Sequence, residues 1–140
     1  MTRETAKIIL HVEDEPAHAT IVRMAIQRHF SDVRLRQIDD GKGALDYLYQ
    51  RGSYEDPTKS PRPDLILLDL RMPRISGLEF LAIVKKDSVL KAIPVVILTT
   101  SDLVKDRADA NTYGADGYLI KSGDFDEFVK MLDELCAAWL

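Results

Sequence analysis

The chain has 140 residues, 46% hydrophobic and 30% charged, with a net charge of −4, a balance that suits one globular domain with its own core. Its acidic character, with a pI near 5.3, speaks against direct nucleic-acid binding, which usually needs a basic face. The single cysteine, Cys136, excludes an internal disulfide and suits a reducing cytoplasm, while the polar start Met1–Lys7 and the lack of any apolar run near ~18 residues exclude a secretory leader and a membrane span.

Five short apolar runs follow one another along the chain: Ile8–Val12, Val33–Ile38, Leu65–Leu68, Val95–Leu98 and Gly117–Ile120. The first, third and fourth are nearly continuous in Ile, Leu and Val, as strands covered on both faces must be. Helical patterns follow each run, over Pro16–His29, Gly41–Arg51, Ser76–Lys86, Asp102–Tyr113 and Asp124–Trp139. Pro16 suits a first helical turn, where its missing N–H is no loss. The last helix has the cleanest stripe: Phe125, Phe128, Val129, Leu132, Leu135, Cys136 and Trp139 share one face. The helix around Asp102–Tyr113 is mostly polar, which predicts a weakly anchored element. Gly52–Arg62 reads as the one long loop. Fivefold strand–helix alternation predicts a doubly wound parallel sheet with helices on both faces. No linker or repeat interrupts residues 1–140, so a single domain with no attached effector is expected.

Carboxyl ends of parallel strands are where ligands and chemistry collect. Strand one ends in Glu13-Asp14 and strand three in Asp69, within Pro63-Asp64-Leu65-Ile66-Leu67-Leu68-Asp69-Leu70-Arg71-Met72-Pro73. With those strands adjacent, three carboxylates share one rim and repel unless a cation lies among them. Hard oxygen ligands favour Mg²⁺. Strand four ends in Thr99-Thr100-Ser101, hydroxyls for an anion, and strand five in Lys121. Acids, hydroxyls and a lysine from four strands describe a phosphoryl-transfer site in which Asp69 attacks.

From about Ile8 to Leu135 this ordered set resembles the receiver domain of two-component response regulators. The resemblance implies a flavodoxin-like fold of strand order 2-1-3-4-5 and a phosphorylation switch fed by a sensor histidine kinase. It makes Asp69 the phosphoacceptor. Glu13, Asp14, Asp69 and the main-chain carbonyl of Arg71 become the Mg²⁺ ligands. Thr99 becomes the switch hydroxyl, with Thr100 beside it at the phosphoryl group, Lys121 the salt-bridge partner and Tyr118 the aromatic switch. Gly77 matches the family's glycine after Met-Pro. Two positions depart from the family pattern. Ser122 stands where a proline usually follows the lysine, and a cis bond there would cost about 2.5–4 kcal/mol, so trans is expected. Glu13 stands where many receivers have a second aspartate.

Among receivers the chain looks like the single-domain regulators paired with phytochromes. It carries their long loop before Pro61-Arg62-Pro63-Asp64, the phrase Ile93–Ser101, and Ile120-Lys121-Ser122. That likeness implies a phytochrome kinase as partner, a homodimer through the fourth-helix and fifth-strand face, and a downstream protein or phosphotransfer domain.

Two other classes compete. A Mg²⁺-dependent phosphatase with an aspartate nucleophile needs a second acid two residues on, where this chain has Arg71. A phosphorylation-independent adaptor would keep the fold and lose the switch. His11 reads as a packed neutral side chain, and His18 and His29 lack metal-ligand spacing. Cys136 reads as core.

Overall fold

The computed structural model describes residues 7–140. Strands β1 (Lys7–Val12), β2 (Val33–Ile38), β3 (Leu65–Leu68), β4 (Val95–Thr99) and β5 (Gly117–Ile120) form one sheet, all parallel, in the order β2-β1-β3-β4-β5. Helices α1 (Pro16–His29), α2 (Gly41–Tyr49), α3 (Gly77–Lys86), α4 (Val104–Thr112) and α5 (Phe125–Trp139) connect and cover it. Short 3₁₀ turns at Gly52–Tyr54 and Leu90–Ala92 are additions to the predicted elements, the first inside the long loop.

The continuous apolar runs are buried on both faces, as their composition requires. Leu10, Val12, Ile66, Leu68, Val95 and Ile97 pack with α2 and α3 on one side. Ile9, Leu65, Leu67, Val96 and Leu98 pack with α1 and α5 on the other. Each such side chain contributes roughly 1.5–3 kcal/mol on burial. Five residues of the predicted α5 stripe are buried, including Cys136, whose thiol burial pushes up to about 11. Phe125 and Trp139, at the stripe's ends, are instead 37% and 38% exposed. They are the first and last residues of the helix.

The helix starts are capped as the sequence directs. Ser76 and Glu79 form a reciprocal capping box on α3, and Asp40 and Asp124 accept from backbone N–H groups of Gly43 and Glu127. Helix α4 begins at Val104, two residues after the predicted start, on an uncapped Leu103. Its buried residues are Asp106 and Ala110, which agrees with a weakly anchored helix.

At the amino-terminal edge of the sheet, carboxylates stitch strands together. Asp64 accepts from the Ile8 N–H and Asp116 from the Val95 N–H, each at 2.8 Å. The Lys85 ammonium donates to Asp116 at 2.8 Å and to the Ile93 carbonyl at 2.8 Å. No helix among the described residues is long and apolar enough to cross a membrane.

Candidate functional site

The carboxyl-terminal edge is built by the ladder running one residue past each strand. Glu13 N–H donates to the Ile38 carbonyl (3.0 Å), Asp69 N–H to Val12 (3.1 Å) and Lys121 N–H to Thr99 (2.7 Å). Because β1, β3, β4 and β5 are neighbours in register, these backbone bonds fix Glu13, Asp69 and Lys121 on one rim. Asp14 follows, before Glu15 and Pro16 start α1. One carboxylate oxygen from each of Glu13, Asp14 and Asp69 lies within 4.8 Å of the others. Glu13 and Asp69 are buried and Asp14 is exposed.

Burial pushes the Glu13 carboxyl up to about 7. The neighbouring Asp69 reinforces that shift and the Lys121 ammonium opposes it. The donor set therefore fits a hard divalent cation: three acids converge on one rim, and Lys121 offsets only part of their charge. With the Glu13 carboxyl raised to about 7 by burial, a proton competes with a cation there. Divalent-cation affinity should accordingly rise as pH increases through neutrality. Calorimetry in buffers of differing ionisation enthalpy should detect proton release on binding, and a pH-independent affinity between pH 6 and 8 would contradict the assignment.

The other predicted residues have definite places. Thr99 is fully buried, and its Oγ1 accepts from the Ser101 N–H at 3.3 Å. Thr100 is exposed. Lys121 is bonded to Glu13, and among the described residues it forms no ion pair with Asp69. The half-buried Tyr118 donates from its hydroxyl to the Ser101 carbonyl at 2.8 Å, with the Arg107 guanidinium 4.6 Å from its ring centroid. Arg71 turns its side chain away from the acids onto Asp106, at 2.6 Å. Gly77 packs directly on the Asp69–Leu70 backbone. Ser122 accepts from the Asp124 N–H and donates to Glu127, so at the family's proline position it helps start α5. No peptide among the described residues is cis.

Two participants escaped sequence reasoning. His18 lies with Nδ1 2.9 Å from Lys121 Nζ and 3.8 Å from Glu13 Oε1. Asp106 holds Arg71 and accepts from Ser101 Oγ at 2.5 Å. The Ser101 hydroxyl, followed by Arg71, keeps the Asp106 carboxyl below its ordinary range. His11 is buried as expected, and burial, with Lys121 and His18 nearby, drives its pKa down to about 3.

The Arg71 side chain is 66% exposed, so its ion pair is weak, and the Ser101 bond carries more of the anchoring. Asp106→Asn should cost about 1 kcal/mol. The loss should read out as faster hydrogen exchange at the amides of 104–112, with the central strands unchanged.

Residues 9–133 match the family described as response regulator receiver domain. Response regulator Rcp1 of Synechocystis sp. is 40% identical over 134 residues, 96% of this chain and 89% of that protein. A probable methanogenesis regulatory protein, FilR2, of Methanothrix harundinacea is 40% identical, over 95% of this chain and 83% of that one. Among solved structures, the phosphorylated cyanobacterial phytochrome response regulator RcpA superposes with a TM-score of 0.89 at 34% identity, over 96% of this chain and 94% of that one. The Mn²⁺-bound form of Rcp1 superposes at 0.86, with the same coverage.

Proposed function

The chain belongs to the response regulator receiver domain family, and on that premise we propose that it is a two-component switch whose phosphoacceptor is Asp69. The observation that carries this reading is the convergence of Glu13, Asp14 and Asp69 beside the buried Thr99 and Lys121. A histidine kinase presents a phosphohistidine. An Asp69 carboxylate oxygen bonds to phosphorus as the phosphorus–nitrogen bond breaks, and the electron pair stays with the imidazole. Mg²⁺ on Glu13, Asp14, Asp69 and the Arg71 carbonyl would neutralise the phosphoryl oxygens.

Lys121 and Thr99 supply an ammonium and a hydroxyl donor to the acyl phosphate, with Thr100 at the rim beside them. Drawing Thr99 inward releases the Ser101 segment to which Tyr118 is bonded, and so repositions α4. Water later cleaves the acyl phosphate and resets the switch. The role is signalling rather than turnover of a separate substrate.

Likeness to Rcp1 and RcpA supports a phytochrome histidine kinase as the phosphoryl source, in the cytoplasm, with residues 1–140 as a single receiver domain. The dimer face we favour is α4–β5, where Val104 is 84% exposed beside a groove of about 450 Å³ that Arg107, Ala110 and Tyr118 help line. Output then passes to a downstream protein or phosphotransfer domain. Phosphotransfer from a radiolabelled phytochrome kinase, in each light state, should label this chain within seconds to minutes and faster than unrelated kinases do. Equal or absent labelling by all kinases would remove the phytochrome pairing.

A further inference from the structure

Lys121 reaches the site from the end of β5 with its side chain only 6% exposed. Its ammonium rests on two acceptors from the far side of the rim, Glu13 at the end of β1 and His18 in the first turn of α1. An ammonium has donors only, so at 2.9 Å the His18 Nδ1 is the acceptor. The backbone fixes this arrangement. Glu15 caps α1 and Pro16 begins it, which places the third helical residue over the end of β5. To reach a phosphoryl oxygen on Asp69, Lys121 must give up this cradle.

We propose that His18 is a positioning residue that holds Lys121 on Glu13 and so sets how readily the lysine meets the incoming phosphoryl group. The proposal rests on Asp69 as phosphoacceptor. Glu13 binds Lys121 more directly, but it is itself a candidate metal ligand. His18, 37% exposed in its side chain, can be altered without disturbing the core.

The test uses acetyl phosphate with Mg²⁺. The phosphorus–oxygen bond to acetate breaks, acetate leaves with the electron pair, and Asp69 oxygen forms the new bond to phosphorus. Intact mass follows the incorporation. His18→Ala removes one acceptor and should raise the initial rate roughly threefold to tenfold, the effect of one hydrogen bond to a charged group discounted for exposure. His18→Asn keeps an acceptor and should restore a rate near the native one. In a Lys121→Ala background, His18→Ala should have no effect, because the residue acts through that lysine.

A readout without metal or phosphoryl donor is the ¹⁵N-ammonium resonance of Lys121, identified by its loss in Lys121→Ala. It should shift or broaden in His18→Ala and stay near its native position in His18→Asn. An unchanged resonance would overturn the proposal, as would an unaltered or lower rate in His18→Ala, or the same change with and without Lys121. Failure of the native protein to take any phosphoryl group would instead sink the phosphoacceptor reading, and the resonance would still decide the role of His18.

Discussion

Asp69→Asn should abolish phosphoryl incorporation from acetyl phosphate or a kinase while leaving the protein folded and more stable. The amide keeps the shape of the carboxylate and loses its nucleophilic oxygen. Neither neighbour can take over. Glu13 is only 3% exposed and pairs with Lys121, and Asp14 stands outside the buried pair. The gain in stability comes from like charges. Asp69 raises the Glu13 carboxyl, so removing its charge relieves repulsion at a partly desolvated rim by about 1 kcal/mol. Intact mass should show no added phosphoryl group, and the thermal midpoint should rise in metal-free buffer. A labelled Asp69→Asn protein would refute the site, and a destabilised one would refute the electrostatic account.

The second large effect is expected at Gly77→Ala. A methyl there would stand 2.6 Å from Leu70 Cα and 3.0 Å from the Asp69 carbonyl carbon, closer still to that carbonyl oxygen. These are backbone atoms with no flexible end to swing aside. The Gly77 N–H also bonds to the Leu70 carbonyl at 3.0 Å, which clamps the two segments together. Overpacking of this kind costs about 3 kcal/mol, and relief requires displacing the peptide that carries Asp69. Denaturant unfolding should show the loss, and phosphorylation should slow even where the variant is fully folded. A variant with native stability and native rate would show that the loop tolerates the shift.

The five strands and the rim acids were readable because both depend on signals local in sequence, whereas the strand order came with the family resemblance. Leu65–Leu68 is apolar throughout, so it must be covered on both faces, and such a strand ends where its first charge, Asp69, appears. His18 gave no comparable signal. It is one polar residue on an amphipathic helix, and its meaning lies in the packing of α1 over the end of β5, 103 residues away in sequence. Asp106 was hidden for another reason. On a helix of mostly polar residues no periodicity distinguishes the inward acid from its solvated neighbours, and only Ser101 and Arg71 show which way it points. The exposed Phe125 and Trp139 show the converse: helical spacing gives the direction of a stripe and is silent on where its burial ends.

The stitched amino-terminal edge has a bearing on robustness. There Asp64, Asp116 and Lys85 are bonded to backbone groups, and Lys85 also to Asp116, whereas at the opposite edge Glu13, Asp14 and Asp69 crowd one another. One rim works as a hem and the other as a loaded spring, and the length of the strands separates them. Substitutions can accumulate at either border almost independently. A lineage could retune signal lifetime without endangering the fold, or harden the fold against heat without muting the signal.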